Sequence, residues 1–341
     1  MVQDSRLKRA TLEDVARHAG VSTATVSRAL NKTGVVSGAR MRLIEEACEA
    51  LDYVANGAAR ALSSNRSMTI GAIVPSLQNE TFYRALTAFQ QTVHEAGYTL
   101  LVASSEFDPD IELREVTTLL QHGIDAVMIV GSIHHEKMWA RIRDKGIPCV
   151  QAWTIDSGRP CVGFDHHQAA KAMAGHLLDL GHRRIAILVG TPVTNDRASA
   201  RVEGTRAVMQ ERGAELLGEM TRAFSLEDGR KAAEELLALP NPPTAIICGN
   251  DALAFGVQIA AKSRGVRIPE DLSVAGFNDF EYAAHLDPPL TTVRVNLEEI
   301  GRSSGMMLLD MINGEPGSQT ILSYDLVLRK STGPAPERSH V

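Results

Sequence analysis

Residues 11–30, TLEDVARHAGVSTATVSRAL, constrain the fold more tightly than any other stretch of this chain. Val15, Ala16 and Ala19 recur three and four residues apart, the spacing that places them on one face of a helix, and Gly20 supplies the freedom for a sharp turn. Ser22 is a good N-cap for a second helix on which Val26 and Leu30 face inward with Val21. Thr23, Ala24, Ser27 and Arg28 then point outward. The pattern predicts a helix-turn-helix whose second helix offers a small polar face of the kind a DNA major groove accepts. Two amphipathic helices around a glycine also occur in plain bundles, so the flanking sequence has to decide.

Val36-Ser37 opens a third helical pattern in which Leu43, Ile44, Ala47 and Leu51 repeat, and three helices of this size bury one small core. Asn56 reads as the cap of one more short helix, residues 57–64, where Ala58, Ala59, Ala61 and Leu62 stand beside Arg60. Charge separates along the chain in the direction DNA binding needs. Of 35 Lys and Arg, ten lie at or before Ser67, against seven of the 41 Asp and Glu, which leaves +3 there and −9 beyond. An acidic body keeps such a chain from clinging to DNA everywhere.

At 341 residues the chain exceeds a typical single core, so two or three domains are expected. No run of eighteen apolar residues occurs, and MVQDSRLKRATLEDV lacks the apolar stretch and cleavage site of a signal peptide, so a cytoplasmic protein with no membrane partner is expected. Cys48, Cys149, Cys161 and Cys248 form no CxxC pair, which argues for reduced packing thiols. His134-His135 and His166-His167 have neither i,i+4 spacing nor a ligating partner, so no metal and no cofactor are expected.

After Met68, apolar runs alternate with helical segments. TIGAIVP, YTLLVAS, DAVMIVG and PCVQAW read as strands of one parallel sheet, and RRIAILVG, TAIICGND and LSVAGFND as strands of a second. Two α/β lobes suggest a hinged clamp with a ligand between the carboxyl ends of the strands. The segments 297–313 and 324–329 follow the second set, so the chain is expected to recross between lobes. The expected fold class is an all-α helix-turn-helix headpiece plus an α/β core of two parallel-sheet lobes. The expected division is a headpiece at 10–54, a hinge at 55–67, a two-lobed domain at 68–331 and a tail at 332–341. Residues 68–165 with 297–322 make the first lobe, and 166–296 with 323–331 the second.

TLEDVARHAGVSTATVSRALN and YVANGAARALSSNRSMTIGAIVP resemble the headpiece and hinge of the lactose repressor/galactose repressor (LacI/GalR) family of bacterial transcription factors. HLLDLGHRRIAILVG, CGNDALAFG, RIPEDLSVAGFND and DPPLTTVRVNLEEIGRSSGMMLLDMI follow in that family's order and spacing, and the lobes resemble its periplasmic-binding-protein-like core. The resemblance implies base reading by Thr23 and Ala24, extended by Ser27 and Arg28. Arg28 is the one long side chain there, able to pair with guanine or to hold a phosphate. Ser22 and Thr25 suit phosphates, which position without specifying. Thr11, Asn31, Asn56 and Arg60 complete the candidate DNA contacts. Leu62 falls where the family pushes a leucine into the minor groove, the alternative being a core leucine in an Ala-rich helix. The family's usual proline before the hinge asparagine is Ala55 here, which leaves the hinge less pre-stiffened.

For the ligand, the resemblance marks Arg201 as the arginine that reaches hydroxyls or carboxylates, with a surface role as the alternative. Asn250 and Asp251 sit where a strand meets a helix and converge on the cleft, with a helix cap as the alternative for Asp251. Asn278 replaces the aspartate that sugar-binding relatives often carry. Losing that charge opposite Arg201 tilts the expected ligand toward an anion such as a sugar acid. Phe82 and Trp153 end near strands and either line the pocket or are simply buried.

The function expected is a ligand-responsive repressor binding a palindromic operator as a homodimer, because one headpiece makes too few contacts alone. A nucleobase or other corepressor is the alternative effector. A solute-binding protein would share the lobes but not residues 11–64. An enzyme is disfavoured by the lack of a GxSxG elbow, a GxxxxGK[ST] loop or a nucleophile with a base beside it, so no catalytic residue is named. The tail after Arg329 has no leucine heptads, so no coiled-coil tetramer is expected.

Overall fold

The computed structural model describes residues 10–31, 35–54, 66–155, 158–190, 194–221 and 224–337. The chain divides into two compact units, Met1–Met68 and Thr69–Val341.

In the first unit the helices Leu12–His18, Thr23–Asn31 and Gly38–Ala50 enclose a core of Val15, Ala16, Ala19, Val26, Ala29, Ile44 and Ala47. Thr11 and Asp14 form a reciprocal capping box that starts the first helix. Gly20 at φ 65° makes the turn, and Val21 packs into the corner. Leu43, counted above with the inward repeat, is exposed instead. The buried stripe of the third helix runs Ile44, Ala47, Cys48, Leu51, and Leu43 sits about 100° off it.

The second unit holds two six-stranded sheets. The first has the order β11-β5-β4-β3-β1-β2, from β1 (Thr69–Val74), β2 (Thr99–Ser104), β3 (Ala126–Val130), β4 (Cys149–Ala152), β5 (Cys161–Gly163) and β11 (Gln319–Ile321). The second has the order β12-β10-β9-β8-β6-β7, from β6 (Arg184–Val189), β7 (Glu215–Thr221), β8 (Ala245–Cys248), β9 (Ser273–Asn278), β10 (Thr291–Val295) and β12 (Tyr324–Val327). Central strands are buried on both faces and read as continuous apolar runs, as parallel sheets require. Strand β12 pairs antiparallel with β10, so the second sheet is not wholly parallel. The chain passes between sheets after β5, after β10 and between β11 and β12, and the helix Leu297–Ile312 packs closely along Glu80–Glu95.

Four strands went unread in the sequence: β5, β7, β10 and β11. Strands β5 and β11 have three residues each, and β7, ELLGEMT, carries a glycine and two glutamates at a sheet edge. Strand β10, TTVRV, lies inside its sheet but is broken by threonines and an arginine; short or polar strands of these kinds lack the apolar run that marks most central strands.

Candidate functional site

On the second helix of the headpiece, Ser22, Thr23, Ala24 and Arg28 are exposed, whereas Thr25 and Ser27 are half-buried. Ser22 Oγ accepts from Thr25 N at 3.2 Å and lies 2.8 Å from Thr25 Oγ1, so the pair caps the helix start. Arg28 folds back along its own helix, with Nε donating to Ala24 O at 3.1 Å. Its guanidinium must swing off that carbonyl before it can reach a base. Thr11 is engaged in its capping box and Asn31 closes the helix. Asn56, Arg60 and Leu62 lie outside the described residues.

In the two-lobed unit a cavity opens at the carboxyl ends of the strands, the place a ligand takes in open α/β sheets. Phe82, Trp153, Arg201, Asn250 and Asn278 are brought together there. They come from both sheets and are far apart in sequence.

Arg201, on the helix Asp196–Glu211, is buried, and its guanidinium lies 4.0 Å over the Phe277 ring. Nη1 donates to Gly249 O, and Nε donates to His166 Nδ1 at 3.3 Å. His166 Nε2 faces Trp153 O at 3.1 Å and so carries the ring's proton, which fixes a neutral tautomer. Burial, with Arg201 and Arg197 adding repulsion, holds the His166 pKa well below its ordinary value. Burial likewise pulls Arg201 down to about 9, helped by Arg197 and opposed by Asp196 and Asp251. The guanidinium stays charged at neutral pH, and an anion entering the cavity would offset the cost of its burial.

Asp251 does not line the cavity. It is fully buried, with one carboxylate oxygen accepting from Thr292 Oγ1 and the other from Phe280 N, each at 2.6 Å. It ties β10 to the end of β9, and burial pushes its pKa up to about 7. Asn250 instead makes the helix cap, accepting from Leu253 N at 2.9 Å. The first helical position turns its side chain sideways into the sheet, which places Asp251 away from the cavity.

Trp153, Asn278 and Asp279 have φ of 58°, 103° and 56°, left-handed values that non-glycine residues rarely adopt. All three fall at strand ends by the cavity. Asp279 turns away from it to pair with Arg294 and Arg329.

Sequence reading missed Asn79, Thr81, Phe107, Asn195, Arg197 and Phe224 in the lining. A signal existed for some. Asn79, Asn195 and Asn250 each precede a helix and each cap it, so three helix N-termini meet at the cavity. Arg197 stands four residues before Arg201 on the same helical face. It is bound to Asp196, whose carboxylate reaches across to Ser132 N and Oγ at 3.0 and 2.9 Å. Phe107 and Phe224 had none, because both sit in loops whose approach depends on the fold.

A helix-turn-helix unit joined to two α/β lobes with a polar cleft at their strand ends defines a ligand-responsive, DNA-binding transcriptional regulator. Residues 11–56 match the family described as bacterial regulatory proteins, lacI family, and residues 174–332 match a periplasmic binding protein-like domain. The chain is 34% identical to the HTH-type transcriptional regulator GntR of Pseudomonas aeruginosa, over 95% of this chain and 96% of that one. It is 33% identical to the ribose operon repressor of Escherichia coli, over 89% and 93%. The crystal structure of the Lac repressor dimer bound to operator and the anti-inducer ONPF superposes with a TM-score of 0.85 at 27% identity, covering 96% of this chain and all of that one. This chain belongs to the LacI family of bacterial transcriptional regulators. Among its described residues no helix is long and apolar enough to cross a membrane.

Proposed function

We propose that this protein is a cytoplasmic repressor that binds a palindromic operator as a homodimer and responds to a small anionic effector, a sugar acid such as an aldonate. Residues 10–54 read the operator, residues 55–67 form the hinge, and residues 68–331 hold the effector and the dimer contacts. Thr23, Ala24 and Arg28 meet base edges, Ser22 and Thr25 meet phosphates, and Leu62 wedges the minor groove.

One observation carries the effector reading. The cavity lining holds two arginines, Arg197 and Arg201, and three asparagine-capped helix N-termini, with no aspartate or glutamate among its described residues. Guanidinium groups and helix N-termini both favour negative charge; Asp196 offsets Arg197, which leaves Arg201, hydrogen-bonded to Gly249 O and the neutral His166, as the arginine open to an anion. The aromatic side, where Phe82 meets Trp153 at 5.2 Å and Phe107 meets Phe224 at 5.9 Å, favours the second reading, a nucleobase or other planar corepressor.

Calorimetry with matched pairs, each aldose against its aldonate, separates these readings. The acid is expected to bind more tightly in each pair, and Arg201→Ala to abolish the difference. Tighter binding of every neutral member, or unchanged acid binding by the variant, overturns the anion reading.

A further inference from the structure

The cavity wall contains an indole N–H with nothing to bind. Trp153 is 1% exposed, it lines the cavity, and its Nε1–H has no acceptor. Gln151, Thr205 and Ser304 also bury an unpartnered polar side-chain atom, but none of them is in the lining. A buried donor without an acceptor is costly, and native folds rarely tolerate one unless something outside the chain completes it.

The ring is held in place. Trp153 keeps a left-handed backbone at φ 58°, and its carbonyl oxygen accepts from His166 Nε2. Its indole stands edge-on to Phe82 at an interplanar angle of 72°. Gly163 lets the chain fold back at this point, because a Cβ there would overlap the backbone of Thr154. Through its other nitrogen His166 accepts from Arg201, so a single imidazole ties the Trp153 backbone to the Arg201 guanidinium. Strain of this kind, held by several partners, belongs to sites built for a ligand.

We infer that the Trp153 indole N–H is a specificity-determining donor, reading a hydroxyl or ring oxygen on the same ligand whose anionic group faces Arg201. The inference rests on the cleft being the effector site, and it narrows the ligand class. A polyhydroxylated acid satisfies the indole; an aliphatic or aryl carboxylate of equal size does not.

The chain has two tryptophans, Trp139 and Trp153, so proton–nitrogen correlation spectra of the full-length protein contain two indole signals, which Trp139→Phe assigns. The titration panel is four- to six-carbon aldonates, their parent aldoses, hexanoate and benzoate. Saturation with the tightest aldonate is expected to move the Trp153 signal downfield and leave that of Trp139 in place. Trp153→Phe, which keeps an apolar ring, is expected to weaken that aldonate about tenfold, the effect of one lost hydrogen bond in a closed site, without weakening hexanoate. An indole signal that does not move at saturation overturns the inference, and it needs no substitution to fold. Wild-type affinity in a folded Trp153→Phe protein also overturns it. If a neutral aldose binds best yet moves the Trp153 signal, the anion reading fails and the indole donor stands. Failure of every panel member to bind at millimolar concentration overturns both.

Discussion

Asn278 donates its side-chain amide hydrogen to Thr81 Oγ1 across 2.8 Å, joining the end of β9 in one sheet to the helix Glu80–Glu95 that covers the other. Both residues line the cavity, so the position that departs from the family's frequent aspartate also bridges the lobes over that cavity. Ser132 and Asp196 make a second bridge of the same kind. Ligand binding that favours one lobe arrangement acts on such bridges, since a ligand shifts conformations only by its differential contacts.

Asn278→Asp is expected to retain a bridge, because a carboxylate accepts from the Thr81 hydroxyl, while adding a negative charge to the cavity lining. Affinity for the aldonate should fall about tenfold or more, and affinity for the parent aldose should hold or rise. Calorimetry on both ligands checks this. Equal losses for acid and sugar would show that position 278 does not sense ligand charge.

In the headpiece, Arg28→Ala should flatten base preference in operator-variant gel shifts, at roughly 1–3 kcal/mol for a bidentate contact. A uniform loss on every sequence would mark Arg28 as a phosphate contact. Leu62→Ala should weaken operator binding sharply, by a few kcal/mol if a kinked base step loses its wedge, and leave effector affinity unchanged. Wild-type gel shifts for that variant would remove Leu62 from the hinge role.

Acid should destabilise the second unit through its buried and half-buried histidines. Burial lowers the folded-state pKa of His166, His176 and His182 below the unfolded value near 6.5. The unfolded chain therefore binds the extra protons first, so stability is intact above about pH 6.5 and falls below it, by at most about 1.4 kcal/mol per pH unit for each histidine. Asp251, raised to about 7, works in the opposite direction, because its folded form holds a proton that the unfolded form releases above pH 3.8. Urea midpoints should fall between about pH 7.5 and about pH 5.5, on either side of the unfolded value near 6.5, and His166→Gln should reduce the slope. An unchanged slope in the variant would mean that His166 titrates normally.

Gly301→Ala tests the contact between the helices Leu297–Ile312 and Glu80–Glu95. A Cβ at 301 would overlap the carbonyl oxygen of Ala85, whereas the swap by itself favours the helix by about 1 kcal/mol. Overpacking should win and leave the protein destabilised by roughly 1–3 kcal/mol. A raised melting temperature would show that the two helices separate freely there.

The headpiece was legible because its information is local. Spacing at Val15, Ala16, Ala19, Val26 and Ile44, a glycine turn and a Ser22 cap specify three helices within about forty residues, and the buried core is made of those side chains. Where local reading slipped, at Leu43, the error was a rotation around one helix. Most central strands were equally plain, since burial on both faces writes itself as an apolar run; the three-residue β5 and β11, the polar edge strand β7 and the threonine- and arginine-bearing β10 were not.

The sequence by itself determined the order of elements, the charge division between reader and body, and Arg201 and Trp153 as residues to watch. Only the tertiary structure decided what meets what. Asp251 and Asn250 are neighbours in the chain, yet one faces the cavity wall and the other is locked between Thr292 and Phe280, because a helix start sends successive side chains in different directions. Arg201, His166 and Trp153 become one hydrogen-bonded unit, and Phe107 meets Phe224, through two sheets that no periodicity aligns. Pattern along a chain encodes the direction of a side chain within its own element, whereas a binding site depends on distances between elements, which packing alone sets.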